Sequence, residues 1–339
     1  MEMKCSTFAV DEEPYCVWDW DLKSTNLSFI NSIDNKYFEY SARTHVDNLD
    51  GEDKLRAATA IRMAYHHGLE TLFALICASL QAPDCVVGWI QKYRPAQLRK
   101  MVSSITKGDY KFLYKLNLEK LTWDSIASAI NRVSYPDQSR TIETHKLYGS
   151  LWKRFAAELV DNYGVWEYNS IKHGLRASSG GFSLAIGIEP SYGVSPPPEQ
   201  MHLLGSSEFG NSFYRTEPIS NSKKDPHVRL IHSSVAWNPQ ATIYALVLIT
   251  ISIGNVVSFL KILNGVDPST VQFTRPTDPE DFEKPWINPP SVPMISMTPG
   301  ITINARAKIS REELRKQLKS KLSRNQAPAH NTQNPKGIT

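Results

Sequence analysis

The sequence predicts a mainly α, α+β fold: a helical bundle with a small antiparallel β insertion between its last two helices. Three observations carry this expectation. Apolar residues recur at helical spacing through two long segments, 52–81 and 139–161. Between about 180 and 237 that rhythm gives way to alternation and clustered turn residues. An almost unbroken apolar segment, 241–260, then follows.

Taken in order, residues 1–50 are aromatic-rich (Trp18, Trp20, Phe29, Tyr37, Phe38, Tyr40) and read as an irregular wrap over the body. Residues 51–265 form the bundle. Its first helix places Ala58, Ile61, Tyr65, Leu69, Leu72 and Ile76 on one stripe and stops before Pro83. Shorter helices are expected near 84–92, 95–107 and 122–132, the second opened by Pro95 in its first turn. The next long helix turns Leu147, Leu151, Phe155 and Leu159 inward, breaks at Gly164 and continues through Arg176. Gly180-Gly181 ends the helical texture, and strands are expected at 182–188, 201–215 and 227–237. Asn238-Pro239 has the form of an N-cap with Pro at the first helical position, and Asn264-Gly265 that of a C-cap. Eight prolines make 266–305 an extended arm, and Ser310 with Glu313 is a capping box that opens a short basic helix within 306–339, the rest of which reads as disordered.

Composition bounds the function. With 41% hydrophobic, 10% aromatic and 21% charged residues, there is material for a packed core, which excludes a mainly disordered chain, a coiled coil or a fibrous repeat. The net charge of +4 is unevenly spread: nine Lys/Arg against two Glu lie beyond residue 305, leaving the rest slightly acidic. The acidic N-terminus lacks the pattern of a secretory signal, and Cys5, Cys16, Cys77 and Cys85 fit neither a disulfide framework nor zinc spacing. A cytoplasmic protein is expected. Segment 241–260 is uncharged and long enough to span a bilayer. Thr242, Thr250, Ser252, Asn255 and Ser258 interrupt it and no Lys/Arg cluster flanks it, so a buried central helix is expected instead.

The chemistry-bearing segment is 166–176. On a helix Asn169, Lys172, His173 and Arg176 fall at i, i+3, i+4 and i+7 and share one face. An amide, two fixed cations and an imidazole on one stripe suit an anion such as phosphate, with His173 as acid or base. The first long helix offers a counterpart: Arg62, His66 and Glu70 at i, i+4 and i+8, beside the apolar stripe. If the two helices meet, Arg62, His66 and Glu70 face Asn169, Lys172, His173 and Arg176, and Glu70 orients an imidazole. The same set also reads as a polar network that fixes helix register.

Two long helices carrying these residues resemble the HEPN superfamily of helical-bundle domains, many of them ribonucleases. Active members carry Arg-x(4–6)-His; here Arg62-x4-His67, Arg140-x4-His145 and Arg324-x5-His330 fit the spacing. Met63 stands where a polar residue is usual, and His173 precedes Arg176, the reverse of the family order. The resemblance covers about 52–177 and 238–264. It implies a metal-independent ribonuclease acting as a homodimer, without cofactor. His173, Arg176, Asn169 and His66 would act at the scissile bond, Lys172 and Arg62 would hold phosphate, and Glu70 would orient.

No glycine-rich nucleotide loop, nucleophile elbow or metal-ligand spacing occurs; His227 and His232, five apart in a strand, face opposite sides. The basic tail, with Arg311, Arg315, Lys316 and Lys319, suits either RNA phosphates or an acidic protein partner. Without catalysis, the chain is a binding or scaffold protein acting through this tail.

Overall fold

The computed structural model describes residues 4–108, 113–132, 138–174, 176–219, 227–304 and 309–325. It is an α+β protein with two compact units: residues 1–214 with 232–296, and residues 215–231 with 297–339.

The first unit is centred on α3 (Lys54–Gln81) and α9 (Pro239–Leu263). Gly68 of α3 brings the two together: a Cβ there would stand 3.2 Å from Cγ2 of Ile249. Around this pair lie α4 (Val86–Lys92), α5 (Pro95–Lys107), α6 (Trp123–Asn131) and α7 (Gln138–Val160), whose Trp89, Trp152 and Phe155 are fully buried. The polar residues that interrupt α9 have internal partners. Ser252 Oγ accepts from Trp152 Nε1 at 3.1 Å, and Ser258 Oγ donates to the Gln272 carbonyl at 2.6 Å. The Asn255 side chain donates to the Thr274 carbonyl at 2.8 Å and accepts from the Thr274 amide at 2.8 Å. Among the described residues α9 is the one helix long and apolar enough to cross a membrane, and most of it is buried against protein. Its expected caps are present: Asn238 Oδ1 accepts from the Gln240 amide at 2.9 Å, and Asn264 closes the helix.

The N-terminal fifty residues are regular where an irregular wrap was expected. β1 (Lys4–Val10) and β2 (Glu13–Asp19) form an antiparallel hairpin, followed by α1 (Leu22–Asn31) and α2 (Tyr37–Arg43). Asp11, with φ 56°, makes the turn, and its amide and carbonyl bond the Gln81 side chain at 3.0 and 2.9 Å. One hairpin face buries Phe8 and Val10; the other, with Cys5, Thr7, Cys16 and Trp18, is exposed.

α8 (Asn162–Lys172) also departs from expectation. The break precedes Gly164, because the Asp161 carboxylate caps the amides of Tyr163 and Gly164 at 3.1 and 3.0 Å. The helix ends at Lys172, and Gly174 takes a left-handed φ of 66°, so Arg176 lies outside it.

β3 (Ala177–Ser179), β6 (Gly210–Pro218), β7 (His227–Ala236) and β8 (Met294–Met297) are neighbours in that order, and β9 (Thr302–Asn304) also pairs with β7. β4 (Ser183–Ile186) and β5 (His202–Ser206) make a separate ribbon. The expected strand at 201–215 is thus two strands, and the β structure is not confined to the insertion: the proline-rich arm supplies β8 and β9. Prolines terminate ladders locally, leaving the short runs between them free to pair.

The second unit holds residues 215–218 of β6 and 227–231 of β7, joined by Ile219 N–H to the His227 carbonyl at 2.9 Å and by the Glu217–Arg229 ion pair at 2.6 Å. It also contains α10 (Arg311–Asn325), where Ser310 Oγ accepts from the Glu313 amide at 3.1 Å, as the capping box predicts.

Candidate functional site

Glu167, on the second turn of α8, is completely buried. Its Oε2 accepts from Arg62 Nη2 at 2.9 Å and Nε at 3.2 Å, and from His66 Nε2 at 3.3 Å. Its Oε1 accepts from Asn211 Nδ2 at 3.2 Å and Trp237 Nε1 at 2.9 Å. Arg62 and His66 are one turn apart on α3, Asn211 sits on β6 and Trp237 follows β7, so one carboxylate ties α8 and α3 to the sheet. Burial alone would raise this carboxyl. The Arg62 charge and the bonds from His66 and Arg62 outweigh burial and hold it far below the usual carboxylate range. Burial pushes the His66 imidazole down, against the pull of Glu167, so it is neutral near pH 7. A carboxylate can only accept, so His66 presents its N–H at Nε2 and keeps the lone pair on Nδ1.

The network forms one wall of a cavity of about 500 Å³, within the range of small-molecule sites. Two further carboxylates line it. Glu70 accepts from the Tyr168 hydroxyl at 3.0 Å and the Tyr93 hydroxyl at 3.3 Å. Glu158 accepts from the Tyr65 hydroxyl and from Trp286 Nε1 at 2.8 Å. The Tyr65, Tyr93 and Tyr168 phenols are pushed well up, first by burial and then by these carboxylates, so all three remain protonated donors. Tyr168 stacks on His66 at 5.2 Å between ring centroids. Leu69, Leu98, Val165 and Met294 supply apolar surface. A smaller cavity of about 280 Å³ shares Arg62, Tyr65 and Glu158 with the first.

The charges along the larger cavity do not balance. Glu70, Glu158, Asp161 and Glu167 face Arg62 and Arg99, a net charge of −2 with His66 and the phenols neutral. Arg62 is committed to Glu167. Neither Glu70 nor Glu158 has an ion-pair partner among the described residues; every hydrogen bond they accept comes from a neutral donor.

The α3 half of the anticipated pocket is present: Arg62, His66 and Glu70 line one cavity. The α8 half is replaced. Asn169, Lys172, His173 and Arg176 are exposed, and none of them lines the cavity. The inward stripe of α8 is Gly164, Glu167, Tyr168 and Ile171, which keeps the same i, i+3, i+4, i+7 spacing in a different phase. Lys172 instead stands 5.5 Å over the Tyr168 ring, and His173 caps the helix end. Glu70 orients neither His66 nor His173; it holds two tyrosines. Glu167, Glu158, Asn211 and Trp237 escaped the sequence reading. The one available signal was Glu167 and Tyr168 in phase with Ile171, an apolar residue that marks the inward face.

Of the Arg-x(4–6)-His pairs, His67 is half-buried against Phe38 and Tyr168, and burial lowers its imidazole. His145 is half-buried and likewise lowered, while the side chains of Arg140 and Arg324 and all of His330 lie outside the described residues. Arg311, Arg315, Lys316 and Lys319 are exposed on α10. Among the described residues no cluster of His, Cys, Asp and Glu has the makings of a metal site. No protein-family model matches the sequence, and no curated protein or solved structure matches it either.

Proposed function

We propose that the protein binds a small organic cation in the larger cavity: an amine carried on an apolar or aromatic body. The observation that carries this reading is the pair of half-buried carboxylates, Glu70 and Glu158, that face the cavity without a cationic partner among the described residues. An ammonium between them would gain charge-assisted hydrogen bonds, and Leu69, Leu98 and Val165 would cover its apolar body. The Arg62–Glu167 pair serves as scaffold, since Nε and Nη2 of Arg62 and both Glu167 oxygens already have partners. The same net charge of −2 opposes a phosphodiester in this cavity.

The test is thermal unfolding and calorimetry with phenethylamine, and with phenylacetate as a partner of similar body and opposite charge. Phenethylamine is expected to raise the melting temperature, with Glu158→Gln and Glu70→Gln each weakening the effect. Stabilisation by phenylacetate alone would overturn the reading.

A second reading is supported by the His66–Glu167 pair on the cavity wall, an imidazole oriented by a carboxylate. In it the helices form a HEPN-like bundle, the chain works as a homodimeric, metal-independent ribonuclease, and the basic tail holds RNA. RNA cleavage in EDTA by wild type, lost in His66→Ala or His173→Ala proteins that remain folded, would favour it. No cleavage by the wild type removes it.

A further inference from the structure

The N-terminal hairpin carries two exposed cysteines, Cys5 on β1 and Cys16 on β2. The register pairs Cys5 with Trp18 and Thr7 with Cys16, so both thiols lie on the same, outward face as diagonal neighbours. Diagonal neighbours have Cα atoms about 7–8 Å apart, and a disulfide closes at up to about 7 Å, so a bridge needs only a small local shift of the strands. Among the described residues β1 and β2 form a sheet of two strands with no third strand beside them. The other two cysteines are different: Cys77 and Cys85 are completely buried, and burial pushes the Cys77 thiol well up.

We infer that Cys5 and Cys16 form a reversible oxidation site for hydrogen peroxide. The Cys16 thiolate attacks one peroxide oxygen; the O–O bond breaks, a sulfenic acid forms on Cys16, and the released hydroxide takes up the proton Cys16 gave up, leaving as water. The Cys5 sulfur then attacks the sulfenic sulfur. The S–O bond breaks, a second water leaves with the Cys5 proton and the sulfenic hydroxyl, and the S–S bond forms. Two thiols are oxidised and one peroxide is reduced to two waters. A dithiol or a reduced thiol pool reverses it by exchange. The product clips a hairpin whose inner face seats Phe8 and Val10 in the core.

The experiment treats the reduced, full-length protein with stoichiometric hydrogen peroxide, quenches, alkylates under native or denaturing conditions and reads intact mass. Reduced native protein should take up two alkyl groups, at the exposed thiols. Peroxide-treated protein should take up none when native and two when denatured, and its own mass should fall by two hydrogens. Peptide mapping without reductant should join the Cys5 and Cys16 peptides, and dithiothreitol should restore both thiols. In Cys16→Ser the loss of two hydrogens should vanish. Both positions are exposed, so the variant is expected to fold, as unchanged circular dichroism would verify. Two alkylatable thiols in the native protein after peroxide, independent sulfinic acids on each cysteine, or disulfides only between chains would each overturn the assignment.

Discussion

Glu167 is the residue on which the architecture of the site depends. Removing its charge leaves Arg62, only 16% exposed, without its ion-pair partner, and breaking such a buried pair costs about 3–5 kcal/mol. Glu167→Gln should therefore lower unfolding stability by that order in urea titrations, and a change under about 1 kcal/mol, the range of surface pairs, would show that the pair is hydrated. The protonation states also fix a pH dependence. His66 is depressed in the folded state, so its contribution is complete above the unfolded value of about 6.5 and is lost as pH falls through the lower folded value. Glu167 is depressed as well, so its share is held until pH drops below about 4.3 and then declines. Stability should fall in two stages on acidification, and His66→Gln should flatten the first stage while His67 and His145, also depressed, keep part of it. Arg62, His66 and Glu70 were legible in the sequence because α3 is long enough to fix its own phase. Glu167 was not, because a carboxylate reads as solvent-facing unless its partners, which lie up to 105 residues away in sequence, are known.

At the level of elements, the sequence displays what local chemistry decides and hides what tertiary pairing decides. The caps Asn238 and Ser310 and the first-turn Pro95 are local, and they appear where the residues indicated. The hairpin of β1 and β2, the split of β5 from β6, and the recruitment of β8 and β9 depend on partners elsewhere in the chain. α8 shows the limit most clearly. Its eleven residues allow more than one plausible inward stripe, and a one-residue change of phase is a rotation of about 100°. Gly210 is where sheet and site meet. It precedes Asn211, and a Cβ would collide with the Val235 carbonyl oxygen on the neighbouring strand. Gly210→Ala should cost about 1–3 kcal/mol, as overpacking does, and should displace Asn211 from Glu167. Intrinsic fluorescence offers a readout, because Trp237 donates to the same carboxylate oxygen. Unaltered fluorescence and stability would mean that β6 and β7 can part without disturbing the network.

Across the whole molecule, charge distinguishes the cavity from the tail. The larger cavity is lined by more carboxylates than guanidiniums, whereas α10 presents Arg311, Arg315, Lys316 and Lys319 to solvent beside only Glu312 and Glu313. A polyanion should therefore meet the tail and not the cavity. Polyuridine is expected to bind the full chain weakly and to fail to bind a chain ending at residue 305. Glu158→Gln should leave that binding unchanged while impairing amine binding. If these four cations each neutralise one phosphate of a single strand, the logarithm of the association constant should fall with the logarithm of salt concentration with a slope of about −3. A slope near zero would mean that the contacts are not ionic. Retention of RNA binding by the shortened chain would return the nucleic-acid site to the body, where Lys172 and Arg176 are exposed cations around the end of α8. No binding by the full chain at low salt would leave an acidic protein surface as the counterpart of the tail, because six Lys/Arg between residues 311 and 324 still require a negatively charged partner if they are to hold anything at all.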